Sequence, residues 1–121
     1  MAYPKTALIV DDESHVRAFL KLVLREVGIN DAWEAGDGTT ALQLAQQHKP
    51  ELVLLDVNMP GMTGLQLLAQ LQQAGFTNPI VMVTSQSATS TVREAVRLGA
   101  SGYLLKHVPK DETLKSLREV L

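Results

Sequence analysis

Short apolar runs alternate with amphipathic stretches along the chain. ALIV (7–10) ends at Asp11-Asp12. From Ser14 to Val27 the apolar positions Val16, Phe19, Leu20, Val23 and Leu24 follow helical spacing, and Gly28 is a stop signal. DAWEA (31–35) reads as a strand and Asp37-Gly38 as a turn, with Thr39 or Thr40 capping a helix that reaches Gln47. Lys49-Pro50 breaks it. LVLLD (52–56) is a third strand, and Gly64 to Ala74 a helix bearing Leu65, Leu67, Leu68 and Leu71. After Pro79, IVMVT (80–84) is a fourth strand. A helix from Ser87 or Thr89, with Val92, Ala95, Val96 and Leu98, ends at Gly99. GYLL (102–105) is the fifth strand, ending at Lys106, and Pro109 to Leu121 the last helix. Five strand–helix units predict an α/β fold: one doubly wound (βα)5 domain over 1–121, its parallel sheet covered on both faces.

Composition narrows the classes. The 121 residues are 45% hydrophobic and 20% charged, enough to bury a core without staples. The absence of cysteine excludes disulfides and thiolate metal sites and fits a reducing compartment. A formal net charge of −2 offers no footprint for nucleic acid or an anionic membrane. No apolar run approaches the roughly 20 residues that cross a bilayer, and the N-terminus lacks a signal-peptide pattern. The expectation is a soluble cytoplasmic domain.

Ligands of open parallel sheets sit outside the carboxyl ends of the strands. The first strand ends in Asp11 and Asp12, the third in Asp56, the fourth in Thr84 and Ser85, the fifth in Lys106. Singly, each has an ordinary reading: an aspartate as a turn or helix cap (Asp12 or Ser14 for the first helix), a lysine as a solvated charge. Together they place three carboxylates, a hydroxyl and an ammonium on one edge. Clustered carboxylates repel unless a cation joins them. All-oxygen ligation favours a hard ion, Mg²⁺ or Mn²⁺, which keeps open positions for a phosphate oxygen. Lys106 and Thr84 would face the other phosphate oxygens. Asp56, ending the central apolar strand, is placed to be the nucleophile of an aspartyl-phosphate.

LIVDDE (8–13), LLDVNMPGMTG (54–64), VMVTS (81–85) and GASGYLLK (99–106) resemble, in this order and over essentially the whole chain, the receiver domains of bacterial two-component response regulators. The resemblance implies a flavodoxin-like sheet of order 2-1-3-4-5, an order taken from the family. It implies that Asp56 is the phosphoacceptor, that Asp11, Asp12, Asp56 and the Asn58 carbonyl hold Mg²⁺ or Mn²⁺, that Thr84 is the switch hydroxyl, that Lys106 contacts the phosphoryl group, and that Tyr103 is the switch aromatic. It implies self-catalysed phosphoryl acceptance and autodephosphorylation, and no other enzyme activity. The donor would be a sensor histidine kinase or phosphotransfer protein. The face of the fourth helix, fifth strand and fifth helix would act on an output domain or effector. A phosphorylation-dependent homodimer fits this reading; direct nucleic-acid or membrane binding by this chain does not. The GASGYLLK phrasing resembles regulators that carry a helix-turn-helix domain, which would lie beyond Leu121.

The sequence also departs from the family. Lys106 is followed by His107, not by the family's proline, which comes later as Pro109. A cis Lys106-His107 bond would cost about 3 kcal/mol, so the loop is expected to differ. Asn58 and Gln86 occupy positions that tune phosphoryl lifetime in the family. Ser85 stands where a small residue leaves room for the group. His15, His48, His107, Trp33, Met59 and Met62 read first as surface or packing residues. Three rival functions compete. A haloacid-dehalogenase-type phosphatase needs a second acid where Asn58 stands. A flavin module needs a phosphate loop where the acidic DDES stands. A phosphorylation-independent receiver would lack key residues that are present here.

Overall fold

The computed structural model describes residues 4–85 and 89–121; Gln86 and Ser87, both named in the sequence reading, lie outside the described residues. In chain order it contains β1 (Thr6–Val10), α1 (Ser14–Glu26), β2 (Asp31–Ala35), α2 (Gly38–His48), β3 (Leu52–Asp56), α3 (Gly64–Gln73), β4 (Ile80–Thr84), α4 (Thr89–Arg97), β5 (Gly102–Leu105) and α5 (Lys110–Val120). Every strand pairing is parallel, and the sheet order is β2-β1-β3-β4-β5.

Alternation along the strands divides the core in two. Leu8, Val10, Val53, Leu55 and Met82 pack with Ala41 and Ala45 of α2, Leu67, Leu68 and Leu71 of α3, and Ala95 of α4. Ala7, Ile9, Leu52, Leu54, Val81, Val83 and Leu104 pack with Val16, Leu20, Val23 and Leu24 of α1 and Leu114 and Leu117 of α5. Both faces of the central strands are covered, which is why β3 and β4 run apolar without alternation up to their last residues, Asp56 and Thr84. Side chains on both faces hold the sheet in one register, so the strand ends arrive at fixed positions.

The helix ends show local chemistry that the sequence reading assigned differently. Asp37, not Thr39 or Thr40, caps α2: its carboxylate accepts from the Thr40 N–H at 2.8 Å and the Thr40 hydroxyl at 3.1 Å. A carboxylate one position before the helix reaches the free N–H groups of the first turn, while Thr39 and Thr40 lie already inside it. Thr63 caps α3 in a reciprocal box with Gln66. Neither Asp12 nor Ser14 caps α1; its N-cap is Glu13, without a side-chain bond. Among the described residues no peptide is cis, and His107 takes the left-handed region at φ 62°. With no proline after Lys106, the chain turns into α5 through that residue.

Candidate functional site

β1, β3 and β5 deliver Asp11, Asp56 and Lys106 to the carboxyl edge of the sheet. Asp11 and Asp56 are 0% and 2% exposed, an unusual depth for carboxylates. Lys106 Nζ bridges them, 2.8 Å from Asp11 Oδ2 and 3.0 Å from Asp56 Oδ1. Backbone donors add to this: the Glu13 N–H reaches Asp11 Oδ1 at 2.9 Å, and the Asn58 N–H reaches Asp56 Oδ1 at 3.2 Å. The Asp11 carboxylate thus takes up an N–H at the start of α1, which explains why Asp12 and Ser14 are not needed as caps. Asp12 itself is exposed.

Burial raises the Asp56 carboxyl above its ordinary 3.8; hydrogen bonding to Lys106 pulls it down, but the charge of Asp11 pushes it up again. Burial pulls the Lys106 ammonium down, but its bonds to Asp11 and Asp56 outweigh that and hold it above 10.5. Asp56 Oδ2 is buried with no hydrogen-bond partner among the described residues. Asp11, Asp12 and Asp56 each offer an oxygen, all within 4.8 Å of one another. Three carboxylates around one ammonium leave about two negative charges uncompensated, and a bare buried carboxylate oxygen is costly. The donor set therefore fits a hard divalent cation.

Thr84 is 3% exposed at the end of β4, and its carbonyl accepts from the Lys106 N–H at 2.7 Å. Ser85 beside it is exposed. Tyr103 lies on β5 in register with Met82 but is 41% exposed, lining a groove against Glu112, Ser116 and Val120 of α5. Met59 and Met62 pack on the α2–α3 side of the core. Trp33 stacks on His48 with ring centroids 4.3 Å apart. His15 is exposed beside Glu13 at 3.2 Å.

Two supporting residues escaped the sequence reading. Arg17 of α1 donates to the Asp11 carbonyl at 2.7 Å and to Glu34 of β2 at 3.1 Å, tying the acidic loop to the sheet. A cation in the second turn of α1, close after two aspartates, was the available signal. Gly64 lets α3 start directly against the acceptor: a Cβ there would collide with the Asp56 carbonyl and stand 2.8 Å from Val57 Cα.

The chain matches the response regulator receiver domain over residues 7–118. It is 36% identical over 117 residues to the nitrate/nitrite response regulator protein NarL of Escherichia coli, covering 96% of this chain and 54% of that protein. It is 39% identical over 101 residues to the chemotaxis protein CheY of Pseudomonas aeruginosa, covering 82% of each. The structure of the Vibrio cholerae chemotaxis response regulator CheY4 superposes with a TM-score of 0.88 at 30% identity, over 98% of this chain and 100% of that one. The chain spans about half the length of several curated relatives, 54% of NarL among them.

Proposed function

The chain belongs to the response regulator receiver family, and from that premise we propose that it is a phosphorylation-operated signalling switch with Asp56 as acceptor. The supporting observation is the placement of Asp56: Oδ1 is held by Lys106 and the Asn58 N–H, while Oδ2 has no described partner. Oδ2 is the oxygen left to attack. In transfer from a kinase phosphohistidine, an O–P bond forms at Asp56 as the P–N bond breaks, and the electron pair returns to the donor imidazole. Asp11, Asp12, Asp56 and the Asn58 carbonyl would hold Mg²⁺ or Mn²⁺, which would neutralise carboxylate charge and polarise phosphoryl oxygens. Lys106 meets the charge that the phosphoryl group brings, and the Thr84 hydroxyl donates to one of its oxygens. Water-driven loss of the group would reset the switch, with Asn58 and Gln86 setting the lifetime.

Output arises from Thr84 drawing inward and Tyr103 rotating from its exposed position, which reshapes the face of α4, β5 and α5. That face would engage an output domain, an effector or a second phosphorylated copy. The nucleic-acid contacts of a transcriptional output would lie outside this chain.

Intact mass after incubation with acetyl phosphate, with and without Mg²⁺, tests the proposal. One added phosphoryl group that requires Mg²⁺ and is lost in Asp56→Ala is expected. No adduct, together with no beryllofluoride binding, would refute acceptor function. Steady turnover of a generic phosphate ester would favour the phosphatase reading instead.

A further inference from the structure

Asp11 and Asp12 are neighbours in the chain but are held very differently. Asp11 is buried, and its carboxylate is fixed by Lys106 and by the Glu13 N–H. Asp12 is exposed, and among the described residues no hydrogen bond or ion pair holds its carboxylate. Its oxygen comes within 4.8 Å of those of Asp11 and Asp56 only because the backbone delivers it there. We propose that Arg17 and Glu34, both outside that acidic group, are positioning residues that set its affinity for a divalent cation by fixing the peptide between Asp11 and Asp12. The inference rests on the reading of Asp11, Asp12 and Asp56 as a cation site.

The backbone is gripped on both sides of Asp11. Its N–H donates to the Ala35 carbonyl at the end of β2, at 3.0 Å. Its carbonyl shares one planar peptide with the Asp12 nitrogen and accepts from Arg17 Nη1 at 2.7 Å. A planar unit held at its oxygen turns little, so Arg17 sets the direction in which the chain enters Asp12. The guanidinium is aimed in turn: Nε donates to Glu34 Oε1 at 3.1 Å, and Lys21 Nζ holds Glu34 Oε2 at 3.1 Å. The rigid fork lets one side chain grip a carbonyl and a carboxylate at once, which the flexible ammonium of a lysine does not reproduce. Glu34 also offsets a positive charge that would otherwise repel a cation bound close by. The hydrogen bond from Lys21, and after it that from Arg17, outweigh burial and hold the Glu34 carboxyl below 4.5, so it is charged near neutral pH. Charge and positioning predict opposite signs. As a nearby positive charge alone, Arg17 opposes cation binding, and its removal would tighten it. As a clamp on the Asp11 carbonyl, its removal loosens binding.

The test is a Mg²⁺ titration of the labelled protein followed by amide NMR, without phosphodonor, beside urea unfolding of the metal-free protein. Arg17→Gln should weaken Mg²⁺ binding about tenfold or more, the usual cost of losing a group that orients a ligand. It should also shift the Asp12 and Glu13 amides before metal is added. Arg17→Lys, which keeps the charge and loses the fork, should weaken binding in the same way, and it decides the matter if Arg17→Gln is unfolded. Lys21→Gln removes the other partner of Glu34 but leaves the carbonyl bond, and should stay within about twofold of wild type. Unchanged or tighter Mg²⁺ binding in a folded Arg17 variant overturns this inference alone. So does an equal weakening in Lys21→Gln, which would mark a general loss of charge or stability. Wild-type protein that takes up no Mg²⁺ overturns the cation reading, and this inference with it.

Discussion

Asp56→Asn keeps the side-chain shape, removes its charge, and is expected to stabilise the fold near pH 7 in the absence of divalent cations. The Lys106 contact at 3.0 Å is worth about 5 kcal/mol of attraction at an effective dielectric of about 20. Against it, an Asp11 oxygen within 4.8 Å contributes about 3 kcal/mol or more of repulsion. Taking the carboxylate out of water costs on the order of several kcal/mol more. The opposing effects win, the same balance that lifts the Asp56 pKa. Lys106 keeps Asp11 at 2.8 Å after the substitution, so no buried ammonium is orphaned. A net gain of about 1–3 kcal/mol is expected. An acid whose folded pKa exceeds its unfolded 3.8 favours folding while protonated. Its contribution is complete below pH 3.8 and is lost as pH rises through the raised folded value. The advantage of the variant is therefore absent in acid and grows toward neutrality. Urea unfolding followed by the fluorescence of Trp33, the single tryptophan, in chelator at acid and neutral pH measures it. A loss of about 3–5 kcal/mol at pH 7, the cost of breaking a net favourable buried pair, would refute the reasoning. A gain independent of pH would refute it as well.

Asp12→Asn, at an exposed position, should weaken Mg²⁺ binding about tenfold or more while leaving metal-free stability within about 0.5 kcal/mol; calorimetric titration beside urea unfolding checks both. Gly64→Ala drives a Cβ into backbone rather than a yielding side chain, so a loss of about 3 kcal/mol or more is expected, and a stable, normally phosphorylated variant would contradict it. His107→Gly releases a side chain from the left-handed region at φ 62° and should leave stability unchanged or raise it by about 1 kcal/mol, read as a thermal midpoint; a clear loss would mean that the imidazole has a stabilising contact.

Periodicity carried the architecture because each strand here is short, apolar and bounded by turn residues. The spans of β2, β3, β4 and β5 match the runs DAWEA, LVLLD, IVMVT and GYLL, and β1 gains only Thr6. Sheet order came from resemblance, since nothing in an apolar run says which neighbour it pairs with. The cap of α2 was misassigned to Thr39 or Thr40, with Asp37 read only as a turn residue, because the choice depends on which side chain reaches a free N–H. Strand-end chemistry placed Asp11, Asp12, Asp56 and Lys106 on one edge, and the structure has them together there, since parallel strands leave their C-termini on one side. Arg17 and the close approach at Gly64 stayed hidden because both depend on distances between segments that the sequence alone does not bring together.

The site is held in an unfavourable state by the favourable part of the molecule. Leu8, Ile9, Leu52, Leu54 and Leu55 are fully buried around the strands that carry Asp11 and Asp56, and each such side chain contributes about 1.5–3 kcal/mol of burial. That rigid apolar frame keeps two carboxylates close where their own electrostatics would separate them. The uncompensated charge then becomes a driving force: a divalent cation would bring the site close to neutral, which under the proposed function removes the repulsion that a phosphoryl group would otherwise meet beside Lys106. Relieving the same repulsion by substitution, as in Asp56→Asn, would make a sturdier domain with nothing left to drive the proposed switch.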